Sequence, residues 1–164
     1  AGARRVDVET ALGMRDAVHA ELSKCTVFIA SAAVSDFRPA TRAEHKIKKE
    51  ALGDGEGLTI ELVRNPDILA EVGAASGREK RIVVGFAAES QDLVAAARGK
   101  LERKRCDLIV ANDVSREGSG FDVETNAVTF VWPAGAIEEL PLLAKREVAG
   151  RLLDRIETLR EARS

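Results

Sequence analysis

The 164-residue chain has no tyrosine, one tryptophan, two histidines and two cysteines. Cys25 and Cys106 lie far apart, which excludes a disulfide-built scaffold and a Cys-x-x-Cys metal knuckle. Both adjoin apolar segments, so the expectation is two buried free thiols in a reducing, cytoplasmic setting. His19 and His45 are too few for a His-based triad or metal site. Neither charge sign dominates: 25 basic against 27 acidic residues leaves a net of −2, not the balance of a nucleic-acid-binding protein. Apolar runs stop far short of the roughly 20 residues that span a membrane. Residues 1–24 alternate charged with apolar groups, which predicts no signal peptide. Glycine fingerprints of the Gly-x-Gly-x-x-Gly, Walker and Gly-x-Ser-x-Gly kinds are absent.

What is present is a soluble globular composition, 45% hydrophobic and 32% charged, in a length suited to one domain over residues 1–164. Ala11, Met14, Val18 and Leu22 mark one face of a helix over 9–24, with Gly13 as an unexplained mid-helix cost. Thr26–Ala30, Arg81–Phe86 and Asp107–Ala111 are apolar runs without alternation, as in strands covered on both faces. Residues 31–57 read as irregular and end in the Gly53–Gly57 turn, and Leu58–Val63 reads as a strand with Leu58, Ile60 and Leu62 on one face. Asn65-Pro66-Asp67 reads as a helix start, with Asn65 as the N-cap and proline first in the helix, running to about Ser76. A further helix opens at Ser90, with Leu93 or Val94, Ala97 and Leu101 inward. Ala127–Trp132 and Ile137–Leu142 suggest a hairpin around Pro133-Ala134-Gly135. A last helix from Lys145 aligns Val148, Leu152, Ile156 and Leu159. Strands alternating with helices predict an α/β fold: a mixed or parallel sheet, helices on both faces, closed by a hairpin and helix.

Such sheets bind ligands at the carboxyl ends of their strands. Three features lie where that rule points. Ser31-Ala32-Ala33-Val34-Ser35-Asp36 puts small residues after a strand, with Asp36 either a ligand carboxylate or a cap. Lys46-Ile47-Lys48-Lys49 sets like charges together, either for an anion or as a solvated loop. Lys100 and Lys104 share a helix face, where they either meet a ligand or complement the helix dipole. The helix start at Asn65 adds free N–H groups, and Phe86 an aromatic wall. A phosphate-bearing ligand with an organic base suits this set better than a bare metal.

Five segments in order, Ser31–Pro39, Lys46–Lys49, Asn65–Leu69, Val84–Glu89 and Asp107–Val114, resemble the bacterial phosphopantothenoylcysteine synthetases. These form the C-terminal half of a bifunctional coenzyme A biosynthesis protein whose other half is a flavin-dependent decarboxylase. The family's N-terminal Gly/Ser-rich segment has no match in residues 1–10. The resemblance implies a Rossmann-like fold and a magnesium-dependent, cytoplasmic homodimer using CTP to activate phosphopantothenate as an acyl-cytidylate, which the amine of cysteine then attacks. It implies no nucleic-acid or membrane partner.

By the same resemblance Ala30, Ser31 and Ala32 contact cytidine and Asp36 lies near the nucleotide. Lys46 is the catalytic lysine of a closing flap that takes in Gly53–Gly57. Pro66, Asp67, Ile68 and Leu69 form the nucleotide-binding helix start, Phe86 contacts the nucleotide, and Lys100 and Lys104 are the helical lysines. Two other readings stay open: a non-catalytic nucleotide-binding or dimerisation fragment, and a dinucleotide-binding oxidoreductase, against which the missing fingerprint and missing tyrosine count.

Overall fold

The computed structural model describes residues 2–48, 57–89, 92–115 and 123–163. Lys49, Gly53 to Glu56 and Ser90 lie outside them. Helix α1 (Ala11–Glu21) starts two residues later than the periodicity predicts, because Thr10 is its N-cap. The Thr10 hydroxyl accepts from the Gly13 amide at 3.0 Å, and a Cβ on Gly13 would stand 3.3 Å from that oxygen. Gly13 is thus a first-turn residue under its cap, not a mid-helix one.

Strand β1 (Val27–Ala30) follows. Then comes a ribbon, β2 (Phe37–Pro39) against β3 (Leu62–Arg64), antiparallel, with Phe37 opposite Arg64. The strand expected over Leu58–Val63 is therefore shorter and shifted, and β2 lies in a stretch expected to be irregular. The ribbon's length is set by its partner: past Pro39 one more bond forms, from Ala40 N–H to the Glu61 carbonyl, and pairing stops. Leu58, Ile60 and Leu62 stay exposed.

Helix α2 (Ile68–Ala74) is capped by Asp67, whose Oδ1 accepts from the Ala70 amide at 3.0 Å. Asn65 is not the cap. Its side-chain amide donates to the Ser35 carbonyl at 2.8 Å and its backbone N–H to the Asp36 carbonyl at 2.8 Å, tying the loop after β1 to the entry of α2. Strand β4 (Ile82–Glu89), helix α3 (Leu93–Lys104) and strand β5 (Leu108–Asp113) complete a parallel unit. A two-stranded ribbon, β6 (Thr125–Asn126) with β9 (Leu143–Ala144), brackets the predicted hairpin of β7 (Val128–Val131) and β8 (Ile137–Glu139). That hairpin turns through Pro133–Gly135, where Gly135 takes φ +86°, a conformation that favours glycine. Helix α4 (Lys145–Glu161) closes the chain.

The main sheet runs β1-β4-β5-β7-β8, its first three strands parallel and the last two antiparallel. Strand alternation splits the core. Val83, Ala87, Ile109 and Val131 face α1, α2 and α3 through Met14, Val72, Ala97 and Leu101. Ile82, Val84, Val110 and Phe130 face α4 through Val148, Leu152 and Ile156. The predicted α/β mixed sheet with helices on both faces, final hairpin and final helix is the observed fold. Among the described residues no helix is long and apolar enough to cross a membrane.

The amino ends of the strands are sealed by arginines. The Asp107 carboxylate accepts from the Val83 amide and from Arg78, both at 2.7 Å, and also from Arg163. Buried Arg81 donates to the carbonyls of Leu22 at 2.5 Å and Cys25 at 3.1 Å, while its Nη1 has no acceptor among the described residues. Cys106 is buried and free, and burial pushes its thiol up to about 11. Cys25 is also free but only half-buried, with its thiol donating to the Val27 carbonyl at 3.1 Å, so one of the two expected buried thiols is partly open.

Candidate functional site

At the carboxyl ends of β1 and β4 the structure opens into a cavity of about 870 Å³, lying between the loop after β1, the start of α2 and the outer part of α3. That volume is in the range of small-molecule sites. Its position follows from connectivity: β1, β4 and β5 run the same way, so the carboxyl ends of β1 and β4 lie at one edge.

Ala30, Ser31 and Ala32 line it from the end of β1, with small side chains that leave the backbone approachable. Asp36 lines it from the following loop. Pro66, Asp67, Ile68 and Leu69 line it from the entry of α2, Phe86 from β4, and Lys100 and Lys104 from α3. Lys46 is described but exposed, and is not among the lining residues. His45 is likewise exposed. Phe86 belongs by alternation to the α4 face of the sheet and packs against that cluster, so part of its ring is committed to the core.

Each helical lysine has an internal partner. Lys100 Nζ donates to the Phe86 carbonyl at 2.6 Å. Lys104 Nζ is paired with the Asp67 carboxylate. The pairing depends on close helix packing: a Cβ on Gly73 of α2 would stand 1.9 Å from the Lys104 carbonyl, so only glycine allows this approach. Across the same region α1 is tied to α2. Glu71 accepts from Arg15 Nε at 2.8 Å, and His19 Nε2 lies 2.7 Å from the same carboxylate. The Arg15 hydrogen bond holds the Glu71 carboxyl below its ordinary value. His19 is exposed but engaged.

Ser35 and Asn65, from two of the predicted segments, line the cavity too, whereas residue types alone did not single out Arg64, Met14 and Val18 as site residues. The apolar pair had a signal, since both lie on the inward face of α1. Arg64 had none, because its place depends on the β2–β3 pairing. Among the described residues, no three His, Cys, Asp or Glu side chains gather as a metal cluster.

The family model described as the DNA/pantothenate metabolism flavoprotein C-terminal domain matches residues 1–159. This chain belongs to that family. Over 155 residues, 94% of its length, this family member is 48% identical to the coenzyme A biosynthesis bifunctional protein CoaBC of Escherichia coli (strain K12). It is 47% identical over 155 residues to the protein of the same name from Vibrio vulnificus (strain YJ016). The domain spans 37% and 38% of those two relatives. A crystal structure of the C-terminal domain of CoaBC superposes with a TM-score of 0.75 at 35% identity, covering 96% of this chain and 66% of that one.

Proposed function

We propose that this flavoprotein C-terminal domain is a phosphopantothenoylcysteine synthetase of coenzyme A biosynthesis, a ligase joining phosphopantothenate to cysteine at the expense of CTP. In this reading the carboxylate of phosphopantothenate attacks the α-phosphorus of CTP. The bond to the bridging oxygen breaks, pyrophosphate leaves, and an acyl-cytidylate remains. The amine of cysteine then attacks the acyl carbon, the bond to the CMP oxygen breaks, and the amine gives up its proton as the amide forms.

One observation carries the reading: Lys100 and Lys104 open onto the same cavity as the small residues Ala30 to Ala32 and the segment Pro66 to Leu69. Bringing a carboxylate to a triphosphate gathers negative charge, and fixed cations offset it as pyrophosphate departs. One such donor is worth about 3–4 kcal/mol of barrier. Substrates supply both nucleophiles, so the scarcity of histidine and the buried, high-pKa thiol of Cys106 are no obstacle. Lys46 enters as a lysine of the flap, reaching the nucleotide on closure from its exposed position in the free protein.

The donor set suits a magnesium that arrives on the triphosphate. Such an ion takes one or two carboxylates and fills its shell with phosphate oxygens and water. The cavity offers Asp36 and Asp67, and since Asp67 is paired with Lys104, Asp36 is the residue that would hold it. Held by Asp36, such an ion would supply further charge neutralisation on the phosphates.

A homodimer, a linked decarboxylase domain and a cytoplasmic setting belong to the same proposal. In support of the dimer, Phe37, Leu58, Ile60 and Leu62 form an apolar stretch on and beside the β2–β3 ribbon, each about half exposed, which a second copy would cover. Sedimentation of the domain is expected to give a dimer.

Calorimetric titration with CTP, ATP and NAD tests the function, followed by turnover of phosphopantothenate and cysteine with pyrophosphate measured. The expected outcome is preference for CTP, with turnover reduced at least about tenfold by Lys46→Ala and the melting temperature unchanged. Preference for NAD would return the oxidoreductase reading. The exposed position of Lys46 favours a second reading, a nucleotide-binding domain without turnover of its own, and CTP binding with no product would support it.

A further inference from the structure

The two helical lysines of the site are not equivalent. Lys100 is held by a neutral carbonyl, that of Phe86 at 2.6 Å. Lys104 is held by a carboxylate, that of Asp67. The Asp67 side chain divides its two oxygens: Oδ1 caps α2 through the Ala70 amide, and Oδ2 takes the Lys104 ammonium. The cap fixes the carboxylate in place. Gly73 lies against the Lys104 carbonyl, so α2 and α3 pack closely and bring the pair within reach. What can move is the four-carbon stem of Lys104, which carries a compact ammonium with three donors.

We propose that Asp67 is a built-in competitor for the anion subsite: its carboxylate occupies Lys104 in the empty protein, and an incoming phosphoryl group must take the lysine over. The proposal rests on the reading of the cavity as a polyphosphate site. Asp67 is a positioning residue here, acting on the ligand through Lys104. The cost of the exchange is modest, because Asp67 is 47% exposed and water re-solvates it. A single small anion gains one contact at that cost. A polyphosphate also reaches Lys100, which no carboxylate neutralises among the described residues, and recovers the cost through the second contact. The pair thus biases the site towards ligands with several phosphates and keeps Lys104 matched when the cavity is empty.

The test is calorimetric titration of the whole chain with inorganic pyrophosphate at low salt, in wild type, Asp67→Asn, Asp67→Ser, Lys104→Met and Asp67→Asn/Lys104→Met. Asparagine and serine both keep a side-chain oxygen for the α2 cap, so the helix start survives in either variant. The expected result is about fivefold tighter pyrophosphate binding in both Asp67 variants, the scale of one partly exposed ion pair. The gain should vanish when Lys104 is methionine, which a merely structural role for Asp67 would not produce. Unchanged or weaker binding in both Asp67 variants, a gain that persists without Lys104, or no measurable binding in any of the five proteins would overturn the proposal. A parallel titration with CTP separates the two readings: the pyrophosphate gain without any CTP binding leaves this inference standing and removes the nucleotide.

Discussion

Both ends of the central sheet carry clustered cations, and they use them in opposite ways. At the amino ends Arg78, Arg81 and Arg163 close around backbone carbonyls and the Asp107 carboxylate, which is only 10% exposed. At the carboxyl ends Lys100 and Lys104 each make one internal contact beside an open cavity. A guanidinium offers a rigid fork that can hold several acceptors at once, whereas an ammonium on a flexible stem exchanges partners readily. Like charge therefore acts as a clasp at one end and as a reserve at the other.

The largest effect that would break this comparison is at the clasp. Asp107→Ala leaves two arginines and the Val83 amide without their common acceptor, and is expected to cost about 3 kcal/mol. A thermal melt checks it, and a variant that melts like wild type would show that the clasp carries no stability. Next in size is the reserve. Lys100→Met is expected to weaken CTP binding about tenfold while costing under about 1 kcal/mol of stability, since it removes one part-buried hydrogen bond, that to the Phe86 carbonyl. Loss of folding in step with loss of binding would make the two ends alike.

The smallest effect concerns the tie between α1 and α2, intermediate in exposure. The folded-state pKa of Glu71 is lowered, chiefly by its Arg15 hydrogen bond, so its contribution is present above the ordinary value of about 4.5 and lost as pH falls through the lower folded value. The stability difference between wild type and Glu71→Gln should therefore shrink as acid is added across that range. A difference that stays constant with pH would show that the carboxylate's charge plays no part.

Much of the fold was readable from local pattern. Apolar runs such as Val83–Val84 and Leu108–Ala111 lie between covering layers, so their burial was written in their own composition. Residues of the cavity were also readable in part, because Ser31, Asp36, Lys100 and Lys104 follow or flank elements whose ends the pattern located. The β2–β3 ribbon was not, since a three-residue strand has no periodicity and exists only through its distant partner. The cap at α2 was misassigned for a related reason: Asn65 and Asp67 both suit an N-cap, and only the pull of Ser35 and Asp36 on Asn65 distinguishes them.

The order of residues by itself determined a mixed α/β sheet with two apolar faces and a set of small, acidic and basic residues at its strand ends, because those depend on neighbours in the chain. Tertiary structure alone decided which cation met which anion. Lys104 and Asp67 are 37 positions apart, and their meeting depends on the backbone contact that Gly73 permits between two helices. Pairing at that separation is a matter of packing distance, which no local pattern encodes.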